Sequence, residues 1–169
     1  LVARADVVVE NFSPGVMDRL GLGYDDLKAD HHRLVFASIS GFGQSGTYAH
    51  RRAYGATAHA EAGWVWVQQQ AAGTGEPFAP GITIADMAAG LSCFSGILAA
   101  LYDRENTGQG QRVDVSLMDA QLSILNEVAA APLSGVGVDD WKPFRHPLHV
   151  AKDGHLTINI GGARNWERI

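Results

Sequence analysis

Between Phe78 and Tyr102 the chain carries a single charge, Asp86. Large apolar side chains recur through this stretch at Ile84, Met87, Leu91, Phe94, Leu98 and Leu101, the three- and four-residue spacing of a helix. A second line, Ala85, Ala89, Ser92, Gly96 and Ala100, is small enough for another backbone to approach closely. The two lines predict a long helix over about 83–105 with both faces buried, so the fold must place a layer on each side of it. Asp86 falls in the first turn. Desolvating an ion is costly, but first-turn N–H groups and the helix dipole can hold a carboxylate in its charged form. Such a carboxylate is suited to covalent attack, and equally to capping the helix. The stretch alone leaves both readings open. Its longest apolar stretch, 87–102, contains Gly90, Ser92, Ser95 and Gly96 and falls short of the ~20 residues needed to span a bilayer.

The rest of the chain alternates strands with helices. Asp6-Val7-Val8-Val9-Glu10 and the run from Arg33 to Ser40 read as short, continuously apolar strands buried on both faces, the pattern of a parallel sheet. A helix over 17–20 follows Asn11-Phe12-Ser13-Pro14-Gly15, with Pro14 in its first turn, and a short helix covers 25–29. Further helix is expected through 53–63 and as far as Val67, a loop over 68–80, a strand at Arg112-Val113-Asp114-Val115-Ser116, a helix over 118–131 and a strand over 154–160. The pattern predicts an α/β fold: a Rossmann-like open parallel sheet, with 1–131 in a large domain and 132–169 as linker and start of a smaller one. Leu1 to Ala5 reads as the end of a helix under way and Asn165 to Ile169 as one starting, so a fragment of a longer protein is expected.

Composition narrows the function. At 169 residues the chain can bury roughly 70% of its unfolded surface, and 46% apolar with 18% charged residues is a globular balance. A net charge of −5 without a long basic run argues against a nucleic-acid surface. Cys93 is the only cysteine, which points to no disulfide framework and a reducing, cytoplasmic setting. No signal peptide or membrane partner is expected.

Several local motifs carry less than they suggest. Gly41-Phe42-Gly43-Gln44-Ser45-Gly46 fits a dinucleotide fingerprint after a strand. No helix clearly starts at Gly46, however, and no acidic residue ends a strand some twenty residues later. His146 and His149 lack companions at metal-ligand spacing, so no metal is expected. No G-x-S-x-G occurs, and Cys93 reads as an inert core residue. Asn11 and Phe12, at a strand end before a helix, stand where α/β folds receive anions and ligands; Arg19 adds a cation one turn on. A capping Asn beside a packed Phe explains the same residues. Arg51-Arg52 reads as a solvated charge pair or as a fork for phosphate.

Taken in order, these segments resemble the class III coenzyme A-transferases (the CaiB/BaiF type, which includes formyl-CoA, carnitine and bile-acid CoA-transferases). The resemblance covers nearly the whole chain. It runs through Ala5 to Gly15, Leu20-Gly21-Leu22-Gly23-Tyr24, Ser38 to Gly46 and Ile84-Ala85-Asp86-Met87. It is strongest at Gly96-Ile97-Leu98-Ala99-Ala100-Leu101-Tyr102-Asp103-Arg104 and Thr107 to Ser116. It implies an intertwined homodimer and an enzyme that exchanges coenzyme A between an acyl-CoA and a free carboxylic acid. Coenzyme A would be a substrate, with no permanently bound cofactor. Asp86 falls on the family's catalytic aspartate, which forms an acyl anhydride and then an aspartyl-CoA thioester. Asn11, Phe12, Arg19 and Leu20 fall on positions lining the CoA site, Arg52 on a basic residue approaching CoA, and Tyr54 on an aromatic beside the reacting carboxylate.

The same family holds α-methylacyl-CoA racemases, which pair the aspartate with a histidine. Tyr54 occupies that histidine's position, with His50 and His59 out of register, so transferase is the expected activity and racemase the alternative. Gly55 replaces the acidic or polar residue usual after the Tyr, His59 stands where Gln is common, and the Gly-rich lid of formyl-CoA-type members has no match in 135–149. Readings from other classes are a nicotinamide-dependent oxidoreductase, resting on Gly41 to Gly46, and a catalytically inactive fragment.

Overall fold

The computed structural model describes residues 1–73, 75–78, 81–137, 140–142 and 148–157. Val7–Glu10 (β1), Val35–Ser40 (β2) and Arg112–Ser116 (β3) pair in parallel in the order β1-β2-β3, with Val7 opposite Val35 and Ser40 opposite Ser116. Parallel neighbours need crossover connections. Two single-turn helices, α1 (Val16–Arg19) and α2 (Tyr24–Leu27), lie on the first crossover. The second carries α3 (Gly55–Glu61), α4 (Trp64–Ala72) and the long α5 (Ile84–Thr107). After β3 come α6 (Leu117–Ile124) and α7 (Asn126–Leu133), then a separate antiparallel pair, β4 (Leu148–Ala151) and β5 (Gly154–Thr157). The α/β class and the parallel sheet are as the sequence predicts.

Being central, β2 is covered on both faces, which is why Val35, Phe36 and Ala37 form a continuous buried run. The small side of α5 lies on the sheet and on α6. Ala58, Ala85, Ala88, Ala89, Leu117 and Ala120 form one core cluster, with Ile39 and Val115 packed against it. The approach is close: a Cβ added at Gly96 would stand 2.8 Å from Val113 Cγ1. Farther along α5, the Arg104 guanidinium donates to the Arg33 carbonyl at 2.9 Å and pairs with Asp6 at 3.1 Å. That ties the end of α5 to the starts of β1 and β2.

The predicted burial of both α5 faces is corrected. Met87, Leu91, Phe94 and Leu98 are 50–68% exposed, a continuous apolar stripe facing away from the sheet. A helical apolar period marks a face that favours burial without specifying that the same segment of chain covers it. At 24 residues, with an 18-residue window of mean hydropathy 1.7, α5 is also long and apolar enough to cross a bilayer by those criteria, unlike the 87–102 stretch alone. Its small face is nevertheless committed to the sheet.

Other boundaries shift for local reasons. Gly63 adopts the left-handed conformation (φ 85°), so the helix expected through 67 divides into α3 and α4 there. Residues 68–72 then belong to α4 instead of a loop, Gln being a good helix former. The helix over 118–131 divides at Leu125. Gly15 is the N-cap of α1, which leaves Pro14 ahead of the first turn. Leu1 to Ala5 forms only a short 3₁₀ turn, and β4 was not anticipated. His146, strand residues 158–160 and the helix start at 165–169 lie outside the described residues.

Candidate active site

Beyond the carboxyl ends of β1 and β2 lies a cleft of about 430 Å³. The carboxyl ends of the strands are where open α/β sheets receive ligands. Its walls hold Asn11 and Phe12 from the loop after β1, Ser40 and Gly41 at the end of β2, and Arg52 and Tyr54 ahead of α3. Asp86 of α5 completes them. Residues scattered over 75 positions of sequence thus face one space.

Each wall is held by a definite contact. Glu10, buried at the end of β1, turns its carboxylate back to accept the Phe12 N–H at 2.8 Å. This fixes the turn that presents Asn11 and leaves the Phe12 ring half exposed. Gly41 lets the loop after β2 lie directly against Ala53, with no room there for a side chain. Its carbonyl accepts the Met118 N–H at 3.2 Å, joining the loop to the start of α6. Ser116 caps α6 by accepting the Asp119 N–H at 2.8 Å and donating its hydroxyl to the Asp119 carboxylate at 2.7 Å.

Asp86 is exposed toward solvent. Among the described residues its carboxylate takes no hydrogen bond or ion pair. It lies instead over Gly55, the first residue of α3, where a Cβ would overlap Oδ2. The neighbouring N–H, that of Ala85, is capped by His59 rather than by Asp86: it donates to His59 Nε2 at 3.0 Å, in a buried contact. The capping reading of Asp86 therefore does not hold, and its oxygens remain free for chemistry.

The two adjacent arginines both line the cleft but differ in their partners. Arg51 pairs with Glu61 and stacks over Phe42 and Tyr48, 4.8 and 5.0 Å from the ring centres. The Glu61 carboxylate raises the Arg51 pKa further above its already high ordinary value. Arg52 is exposed at the cleft wall, without an ion pair among the described residues. In the glycine-rich loop, the Gln44 N–H points at both oxygens of Asp114, at 3.0 and 3.2 Å. A donor that a dinucleotide phosphate would use is filled by the protein's own carboxylate, and no helix begins at Gly46.

A profile of CoA-transferase family III matches residues 1–169. The chain belongs to CoA-transferase family III. An acyl-CoA transferase of Fusarium pseudograminearum is 46% identical, over 98% of this chain and 36% of its own length. An acetyl-CoA:oxalate CoA-transferase of Acetobacter aceti is 44% identical, over 95% of the chain and 43% of the relative. The crystal structure of a CaiB/BaiF family protein from Brucella suis superposes with a TM-score of 0.80 at 33% identity, covering 95% of this chain and 43% of that one. The chain spans less than half the length of these family III relatives.

Of the seven site residues expected from the family III resemblance, Asn11, Phe12, Arg52, Tyr54 and Asp86 line the cleft. Arg19 and Leu20 do not. They close α1, exposed, with an Arg19 guanidinium nitrogen 3.2 Å from where a Gly15 Cβ would stand. The cleft also draws in Ser13, Ile39 and Ser40, which lie within the family motifs without being assigned to the site, and Leu117, which lies outside them. The sequence marks His59 only as a departure from the family pattern. Nothing in its local sequence announces a contact with Ala85, 26 residues away. Among the described residues no cluster of His, Cys, Asp and Glu could hold a metal ion.

Proposed function

We propose that this chain carries the CoA-binding and nucleophilic part of an enzyme that transfers coenzyme A between an acyl-CoA thioester and a free carboxylic acid. The observation carrying this reading is that Asp86, with no hydrogen-bond or ion-pair partner among the described residues, opens into the same cleft as Asn11, Phe12, Arg52 and Tyr54. A carboxylate at neutral pH needs no base to become a nucleophile. An Asp86 oxygen attacks the thioester carbonyl, the C–S bond breaks, and an acyl–aspartyl anhydride and CoA thiolate result. The thiolate attacks the aspartyl carbonyl, releasing the donor acid and leaving an aspartyl-CoA thioester. The acceptor carboxylate and the thiolate then repeat the two steps in reverse order, restoring Asp86. No net proton or electron is transferred.

The cleft residues serve this chemistry by position. Phe12 offers a flat apolar face and Arg52 a bidentate cation for the phosphate-bearing substrate. Asn11 offers an amide hydrogen-bonding group, and Tyr54 an aromatic hydroxyl in the same cleft as the reacting carboxylate. Holding thioester and carboxylate together can contribute roughly 7–11 kcal/mol toward the barrier, far more than the ~0.3–1 kcal/mol a helix dipole supplies. Arg19 and Leu20, at the end of α1, would act on CoA from outside the cleft. The reading extends to an interlocked homodimer in a reducing cytoplasm. The exposed stripe of α5 supports it, since a second subunit would cover that apolar face. A racemase is disfavoured because His59 already uses Nε2 for Ala85 and Tyr54 stands at the cleft.

The test uses the full-length protein with an acyl-CoA donor. Mass spectrometry is expected to find a CoA or acyl adduct on the peptide carrying Asp86, and hydroxylamine to trap it. Transfer at an unchanged rate in Asp86→Asn would show the reading to be wrong.

A further inference from the structure

Helix α5 begins without a side-chain cap: Thr83, its N-cap residue, makes no capping hydrogen bond. Ser and Thr at this position ordinarily satisfy one of the free first-turn N–H groups. Here the acceptor comes from another helix. His59 of α3 is 3% exposed, and its Nε2 takes the N–H of Ala85 at 3.0 Å, one residue before Asp86. A nitrogen that accepts carries no proton, so the contact requires the neutral imidazole with its proton on Nδ1. The imidazolium has no acceptor and cannot make it.

One turn earlier on the same face of α3, Gly55 lies under the Asp86 carboxylate with no space for a Cβ. Two points of α3, four residues apart, therefore hold the start of α5. His59 holds the backbone beside the nucleophile, and Gly55 meets the nucleophile's own oxygens. Ala58, between them, packs in the same cluster as Ala85, Ala88 and Ala89, so the two helices are in close contact over this turn. His59 does not line the cleft.

From this geometry we propose that His59 is the positioning residue of Asp86. By accepting the Ala85 N–H it fixes the rotation of the first turn of α5, and with it the line along which the carboxylate meets the thioester. The proposal rests on the reading of Asp86 as nucleophile. It is chemically specific: the position requires an acceptor at the reach of Nε2. The Gln carbonyl supplies one; a Leu of similar bulk does not.

The experiment compares His59→Gln and His59→Leu in the full-length enzyme, with Asp86→Asn alongside. His59→Leu is expected to lower kcat by about 10- to 100-fold, the cost of a misaligned nucleophile, while KM for acyl-CoA stays within about twofold because CoA contacts are untouched. His59→Gln is expected to recover most of the rate. ¹⁵N NMR of the wild-type imidazole should show Nε2 unprotonated, a readout independent of activity and of whether the Leu variant folds. Equal losses in the two variants, a wild-type kcat in His59→Leu, or a protonated Nε2 would each overturn the proposal. An active Asp86→Asn would overturn the nucleophile reading itself and the role of His59 with it, and that outcome is distinct from a failure of His59 alone.

Discussion

The carboxylate of Asp86 occupies the space that a side chain on Gly55 would fill. Gly55 opens α3 and Asp86 lies in the first turn of α5, so two helix starts meet at the wall of the cleft. The departure at position 55 from the residue usual in the family is thus a packing condition on the carboxylate.

Gly55→Ala separates stability from activity. Ala is the better helix former, by up to ~1 kcal/mol within a helix, so the melting temperature should hold or rise. The new Cβ displaces Oδ2, and CoA transfer should fall by about tenfold or more for a nucleophile moved off its line. Thermal melts and initial rates on the same preparation check both halves.

Arg51 and Arg52, though adjacent, should fail differently. Arg51→Ala removes the Glu61 pair and the cover over Phe42 and Tyr48, so Tm should drop. Arg52→Ala leaves the fold intact and should raise KM for acyl-CoA about tenfold, the loss of one charge-assisted contact. A steady-state comparison with melting curves distinguishes the two.

Asp114→Ala should loosen the loop after β2, because the Gln44 N–H loses both acceptor oxygens. An exposed bond of this kind is worth about 1 kcal/mol, readable as a lower urea midpoint. Titration of the unaltered protein with NAD(H) should give no binding, since that donor is already filled.

Burial pushes the Cys93 thiol up from its ordinary range. A thiol raised by folding favours the folded state while it stays protonated, and that advantage fades as pH climbs past the ordinary thiol range. At pH 8 the folded protein should therefore react slowly with iodoacetamide and rapidly once unfolded in urea. Mass spectrometry of the Cys93 peptide over time checks it.

Much of the molecule was legible in the chain itself. The apolar run Val35 to Ala37 announces a strand covered on both faces, as β2 is; Val7 to Val9 reads the same way, but β1 lies at the edge of the sheet and Val9 is exposed. Parallel strands need crossovers, and class and sheet follow. The order of motifs from Asn11 to Ser116 identified the family, and five of the residues it nominated share the cleft. Tertiary structure decided the rest. Periodicity showed that α5 has a large-residue face, yet burial depends on what lies opposite, and Met87, Leu91, Phe94 and Leu98 face outward. Adjacency made Arg51 and Arg52 look alike until their neighbours in space divided them. The contacts of His59 and Gly55 with the first turn of α5 join residues 26 to 31 positions apart. A local pattern records how a residue sits on its own helix; which helix it meets is set only when the whole sheet closes around the core.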